Sequence, residues 1–464
     1  MNAIAPPVSS GPVAARAPDH DDSPARLEAL SGLAASLVER ARRAGASQAE
    51  VACNEDAGLN VNVRMGAVES VESTRDRGIS VTVYVGQRKG SASTADLRPE
   101  SLEATVAQAI AIARHTEDDE AAGLADAELM ATDLREFDAW HPWALEADDA
   151  VDIALACEAA GRDADARISN SEGASVSTAR SLHVYANSHG FVGAERSTSH
   201  SIGCALIAGT GEAMQGGHWY TYGLAASDLE DPRAIGRKAA ERAVSRLDPR
   251  EMATAEMPVL FHAEVARSLV GHLIGAVSGG ALYRRASFLL DSVGETLLPT
   301  WLSVLERPFL PRGLRSGAFD AEGVAAREQP LVVDGVLQRY LLSSYSARKL
   351  GLRTTGNAGG VFNMEVTANA AGLDELLAEM GDGVLVTELM GQGVNATTGD
   401  YSRGAAGFRV EGGRITYPVD GITIAGNLRA MFREIRGVGA DIDPRSHLRM
   451  GSTLVGRMTV AGAL

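Results

Sequence analysis

Two histidines and a glutamate near the middle of the chain come nearest to a constellation that could do chemistry. The segment FHAEVARSLVGHLIGAVSGG begins at Phe261. It places His262 and Glu264 where a short strand, 258–261, runs into a helix over about 263–278, and it carries His272 further along. Neutral imidazoles bind zinc, and a glutamate beside them can move the proton of a metal-bound water. The spacing argues against that chemistry here. His262 and His272 are ten residues apart, roughly 1000° around a helix, so they point to different faces. His272 shares the core-facing stripe of Val265, Leu269 and Ala276, where a partly buried structural histidine is the better reading. Glu264, in the first turn, reads as a carboxylate favoured by the helix dipole.

Other chemistries lack their signatures. GNAGG and similar stretches do not match G-x-x-x-x-G-K-[ST], and no lysine follows to meet a phosphate. No G-x-S-x-G elbow occurs. His183, His189, His200 and His218 have no cysteine or carboxylate at ligand spacing and read as surface or turn residues. The aspartates around 117–119 and 148–149 read as a solvated face. The three cysteines, Cys53, Cys157 and Cys204, form no C-x-x-C pair, which suits a reducing cytoplasm. Lys and Arg total 43 against 60 Asp and Glu. The resulting charge of −17 disfavours nucleic acid and anionic lipid as partners. The N-terminus lacks a basic start followed by an apolar run, and no stretch of about 18 apolar residues spans a membrane.

The elements that must position these residues can be read from periodicity. Pro, Ala and Ser at the start suggest a flexible tail over residues 1–24. Ser23-Pro24 then opens a helix carrying Leu27, Leu30, Leu33, Leu37, Val38 and Ala41, ended by Gly45. Strands follow over 59–65, 79–85 and 91–94, then a helix bearing Leu102, Val106, Ala109 and Ile110. Residues 117–142 are acidic and Ala-rich, without strand alternation. Beyond them come a helix over 148–161, strands over 175–177, 182–186 and 197–207, and a helix over 231–246. The later part adds strands, with turns at Asp334-Gly335 and Glu411-Gly412-Gly413. The expected fold class is α+β in two domains. An N-terminal unit of helices with an antiparallel sheet spans 25–250, and a β-rich unit spans 251–464.

Several segments occur together in order: GGALYRRASFLLDSVGE (279–295), FDAEGV (319–324), SSYSARKLGLRTTGNAGG (343–360), Thr397-Thr398-Gly399-Asp400, and Thr423-Ile424-Ala425-Gly426-Asn427. With these, the sequence resembles the TldD/PmbA family, also known as modulators of DNA gyrase, from about residue 25 to 464. Catalytic TldD members carry a His-Glu pair followed, after three residues, by a second His. Laid on this chain, the first His falls on His262, the Glu on Ala263 and the second His on Arg267. Family zinc sites also take a cysteine near the C-terminus, whereas every cysteine here precedes residue 205.

The resemblance therefore implies a PmbA/TldE-like subunit with no catalytic, cofactor or metal residue of its own. It implies a TldD-like partner that holds zinc, and a heterodimer degrading or trimming unfolded peptides. A homodimer without that partner, a stand-alone homodimeric metallopeptidase and a non-catalytic peptide-binding protein stay as alternatives. Peptide contacts are expected in the Gly-rich run at Gly391, Gln392, Gly393, Thr397, Thr398 and Gly399, where small residues let another backbone approach. The compartment expected is the cytoplasm.

Overall fold

Helix α1 (Ser23–Arg43) opens the part of the chain, residues 22–462, that this computed structural model describes. Asp22 is its N-cap residue, one position before the Ser23 expected there, and Pro24 lies in the first turn. The tail expected over 1–24 falls, except for its last three residues, outside the described residues.

Alternating residues then build one six-stranded antiparallel sheet. Strands β1 (Gln48–Arg64), β2 (Ala67–Val85) and β3 (Arg88–Thr94) precede helices α2 (Pro99–His115) and α3 (Ala147–Arg162). Strands β4 (Ile168–Asn187), β5 (Val192–Ala208) and β6 (Gln215–Gly223) precede helix α4 (Pro232–Ser245). The sheet order is β3-β2-β1-β4-β5-β6, so β1 and β4 pair at its centre although they are far apart in sequence. Val51, Cys53, Val61 and Val63 alternate onto one face of β1. The first two pack with α1 and α2, the last two with α3 and α4. Helices α3 and α4 approach so closely that a Cβ on Gly236 would lie 1.9 Å from the Cys157 carbonyl. Only glycine fits there.

The chain then enters a β-rich half. Strand β7 (Ala255–Phe261) leads into α5 (Ala263–Ala276) and the short α6 (Gly279–Tyr283). Next come β8 (Val304–Arg307), β9 (Gln329–Val333), β10 (Val336–Leu337), α7 (Ser344–Lys349) and β11 (Asn363–Val366). Helix α8 (Leu373–Met380), β12 (Gly383–Met390), β13 (Asp400–Glu411) and β14 (Arg414–Asn427) follow. Helix α9 (Leu428–Arg433), β15 (Ile435–Val438), β16 (Leu448–Arg449) and β17 (Thr453–Ala461) complete the half. Strands β14-β13-β12-β7-β17 form a sheet that closes on itself through β14–β17 pairing, with β15 added beside β17. Closure removes the free edges of those five strands. Strands β10-β9-β8-β11-β16 form a second sheet, and α5 buries Leu269, Val270 and Leu273 in the core the two share.

These elements make an α+β protein with a β-rich C-terminal half. Several expectations need correction. The strands expected over 175–177 and 182–186 are one strand, β4, because Ser, Thr and Asn interrupt the apolar pattern without interrupting the backbone ladder. Strand β6 carries three glycines and was not foreseen. His200 is 1 % exposed, not a surface residue: Thr178 and the His141 carbonyl satisfy its ring, and Trp143 packs edge-on against it.

The irregular stretch 117–142 runs between the halves. Asp119, expected on a solvated face, accepts from Tyr345 and Lys349 of α7, and Ala131 donates its N–H to the Gly323 carbonyl. The face of the sheet opposite the helices carries Tyr185, which packs with Phe191 and Phe319. Beside them Glu195 of β5 meets the loop 313–320, where burial pushes its carboxyl up to about 7 against the Ala318 backbone and the Arg315 charge. An unfolded glutamate titrates near ~4.3, so ionisation costs only the folded state, and stability present below about pH 4 is lost as pH rises through about 7. Glu195→Gln is expected to stabilise the protein at pH 8 by on the order of 2 kcal/mol and to change little at pH 4. Urea melts at the two pH values check this.

Candidate functional site

The β7–α5 junction brings charged groups from both halves to one place. The His262 N–H donates to the Val386 carbonyl of β12 (3.0 Å), and the His262 carbonyl accepts from Val265 and Ala266 (both 2.8 Å). His262 thus holds the N-cap position of α5, where its Nδ1 accepts a long 3.4 Å bond from the Glu264 N–H. The next N–H, of Ala263, donates to Ser452 Oγ, which donates to Asp441 (2.7 Å). Backbone geometry therefore fixes where His262 and Glu264 project.

Glu264 is nearly buried and ion-paired on both oxygens. Arg242 of α4 reaches Oε1 at 2.7 Å, and Arg445 reaches Oε2 at 3.5 Å. Arg445 also chelates Asp443 (Nε–Oδ1 2.7 Å), donates to the Tyr220 carbonyl (2.9 Å), and lies 4.1 Å and 4.3 Å from the Trp219 and Tyr220 ring centroids. Arg267 pairs with the other side of Asp443 at 3.3 Å. Three guanidiniums thus meet two carboxylates. His262 Nδ1 lies 3.3 Å from Glu264 Oε1, but burial and the Arg242 charge hold the imidazole below its ordinary range, so it is neutral at pH 7. Burial pushes Asp443 up, yet the paired arginines outweigh it and leave the carboxyl below its usual value.

Arg242, Glu264 and Arg267 of this web line a cleft of ≈ 960 Å³ between the halves, and Asp443 and Arg445 are not part of its lining. Strand β6 and α4 form one wall, with His218, Trp219 and Arg242. Helix α5, β12 and β13 form the other, with Val265, Ser268 and Arg403. His262, Glu264 and Arg267 all line it. His272 sits on α5 just beyond Gly271, half-buried against Tyr401. Its expected stripe is wider than foretold: the core takes Ala266, Leu269, Val270, Leu273 and Ala276, and Val265 packs against that core from its edge while also lining the cleft. The run at Gly391, Gln392, Gly393, Thr397, Thr398 and Gly399 joins β12 to β13 and does not line the cleft. It is laced to itself: Asn395 Oδ1 accepts from the Thr397 and Thr398 N–H groups, and the Gly393 carbonyl accepts from Ser402. Only glycine fits at 393, where a Cβ would lie 1.7 Å from the Ser402 carbonyl. Among the described residues no group of three or more His, Cys, Asp or Glu is placed to hold a metal ion. No helix among them is long and apolar enough to cross a membrane.

Models of the PmbA/TldA metallopeptidase describe the chain in three consecutive pieces: domain 1 over residues 49–113, a central domain over 140–247 and a C-terminal domain over 254–462. Metalloprotease PmbA of Escherichia coli O157:H7 is 48% identical over 414 residues, 89% of this chain and 92% of that one. The chain belongs to the PmbA/TldD family. Another member, the PmbA homolog of Haemophilus influenzae, is 45% identical over 426 residues, 92% of this chain and 94% of its own. The TldD homolog of the same organism matches at 26% over 241 residues, 49% of each chain. A crystal structure assigned as a modulator of DNA gyrase from Bacteroides thetaiotaomicron superposes with a TM-score of 0.89 at 28% identity, covering 93% of this chain and 98% of that one. In this PmbA/TldD member, the sheet formed by β1 to β6 spans both the first and the central piece.

Arg242, Asp443 and Arg445 were invisible as site residues in the sequence, lying 20 or more positions from His262 with no motif spacing to link them. Their role in holding the cleft is testable. Arg445→Ala leaves Asp443 and Glu264 buried without their shared partner and is expected to cost about 3–5 kcal/mol. Arg267→Ala, on a more exposed side chain, is expected to cost under about 1 kcal/mol. Equilibrium unfolding in urea measures both.

Proposed function

We propose that this chain is the PmbA/TldE-like subunit of a TldD–TldE-type metallopeptidase complex that degrades or trims unfolded peptides, and that it does not itself hold zinc. The observation that carries the reading is Arg267. It stands where catalytic members of the family place their second histidine, and it is committed to Asp443. Ala263, a methyl buried in the helix core, stands in the place of the general base. The residues present do not fit a divalent ion: it would meet the guanidiniums of Arg242, Arg267 and Arg445, with His262 the single retained ligand of the motif. No catalytic step is therefore assigned to this chain.

What the chain contributes, on this reading, is one wall of a shared cavity. An extended peptide offers its backbone to such a cleft and makes side-chain identity secondary. The loop Gly391 to Gly399 is the proposed peptide contact outside the cleft, supported by the exposure of Gly391, Gln392, Gly393, Thr397 and Thr398 and by its direct continuation into β13, although Gly399 itself is buried. That Haemophilus influenzae has both a PmbA and a TldD homolog fits a pair of unlike subunits.

Mixing the purified chain with a TldD-type chain tests the proposal. A defined heterodimer that cleaves unstructured peptides, loses that activity to a chelator and spares folded proteins is expected, with little cleavage by this chain alone. Robust chelator-sensitive cleavage by the chain alone would instead favour a stand-alone peptidase. No complex and no cleavage with any such partner would favour a peptide-binding protein.

A further inference from the structure

The cleft contains one cation that its own web does not neutralise. Of its lining cations, Lys238 pairs with Glu241, Arg242 with Glu264, Arg246 with Glu388 and Arg267 with Asp443. Arg403, among the described residues, has no carboxylate within ion-pair distance, and its buried Nε has no hydrogen-bond partner. A guanidinium in a half-buried site without a counter-charge is costly unless something anionic completes it.

Two further orphans lie beside it. Tyr401 and Arg403 are two apart on β13 and share a face, on which Tyr401 is only 1 % exposed. The Tyr401 ring meets His272 of α5 edge-on, with centroids 5.9 Å apart. Among the described residues neither Tyr401 Oη nor His272 Nε2, both buried, has a partner at hydrogen-bond geometry, although the Arg403 charge lies close enough to act on the phenol. Burial and then the Arg403 charge pull the imidazole below its ordinary range. Burial pushes the phenol up to about 12. Tyr401 is therefore protonated at pH 7 and can donate. The local supply is a fixed guanidinium beside the phenol oxygen, a phenol O–H and an imidazole that can present its Nε2–H, with no negative charge among them to balance the guanidinium. Each buried polar atom left unpaired costs about 1–3 kcal/mol, and a ligand that engages the group would offset that cost.

We propose that Arg403, with Tyr401 and His272 behind it, forms a carboxylate-binding subsite on the inner wall of the cleft. A carboxylate presents two acceptor oxygens and a negative charge, which match a guanidinium edge and flanking O–H and N–H donors. The neighbouring wall of Val265, Leu389, Phe408 and Ile415 is apolar, so the ligand carries hydrocarbon next to its carboxylate. A peptide's C-terminus or an acidic side chain within a peptide supplies both. The ligand class deepens the proposed peptide-handling role and rests on it. The site itself can be tested on this chain without any partner.

The purified full chain is titrated with N-acetyl-alanyl-leucine, with its C-terminal amide, and with N-acetyl-aspartyl-leucinamide, whose only carboxylate is on a side chain. Binding is read by calorimetry and by the His272 ring signals in NMR. The free acid is expected to bind about tenfold or more tightly than the alanyl amide and to raise the His272 titration midpoint. Recovery of binding by the aspartyl amide assigns the subsite to acidic side chains, and its failure assigns it to the C-terminus. Arg403→Met is expected to abolish the acid-over-amide preference, while Arg403→Lys retains part of it and guards against a folding defect. Tyr401→Phe should weaken acid binding without weakening the amide. Equal affinity for acid and amide, or an unchanged preference in folded Arg403→Met, overturns the proposal. So does a His272 midpoint that does not move at saturating acid.

Discussion

The two-sided grip on Glu264 is the constraint on which the cleft depends. Its carboxylate takes Arg242 from a helix of the first half and Arg445 from a loop of the second, and Arg445 is itself clamped between Asp443 and two aromatic rings of β6. Charges this far from water stabilise a fold only when each finds its partner, because an unpaired one costs several kcal/mol. The web therefore fixes how β6 and α4 stand against α5. Its Arg242, Glu264 and Arg267 charges share the cleft with the apolar side chains of Val265, Leu389, Phe408 and Ile415.

The same web decides what chemistry the cleft can do. A metal site needs neutral or anionic donors converging on an open point. Here the convergent groups are guanidiniums, and the carboxylates that could have been ligands are consumed by them. His262 is held at the strand-to-helix junction by its backbone bonds to Val386, Val265 and Ala266, which serve the fold whatever the imidazole does. Charge left over at Arg403 points the cleft toward anionic ligands.

Much of the architecture was legible because local signals were strong. Asp231-Pro232 capped α4, the Val-Leu-Phe run marked β7, and Asp334-Gly335 and Glu411-Gly412-Gly413 made the turns expected of them. Strand lengths were under-read where Ser, Asn and Gly break the alternation, since a ladder in a wide sheet is held by its neighbours on both sides. The site was only half legible. His262, Glu264 and Arg267 are close in sequence, so their spacing could be judged on a helix. Asp443 and Arg445 reach them from about 180 residues away in a loop with no motif. Arg403 was missed because a lone arginine on a strand looks solvated until the absence of its partner is seen in three dimensions. His200 failed in the opposite sense: only the stacking of β4 on β5 shows that Thr178 and Trp143 enclose it.

The proposal is that the arginine web leaves this chain without a zinc site of its own. Zinc content of the purified chain after dialysis against a mild chelator tests it most directly. Far less than one zinc per chain is expected, unchanged by His262→Ala. One zinc per chain that survives dialysis and is lost in His262→Ala would contradict it.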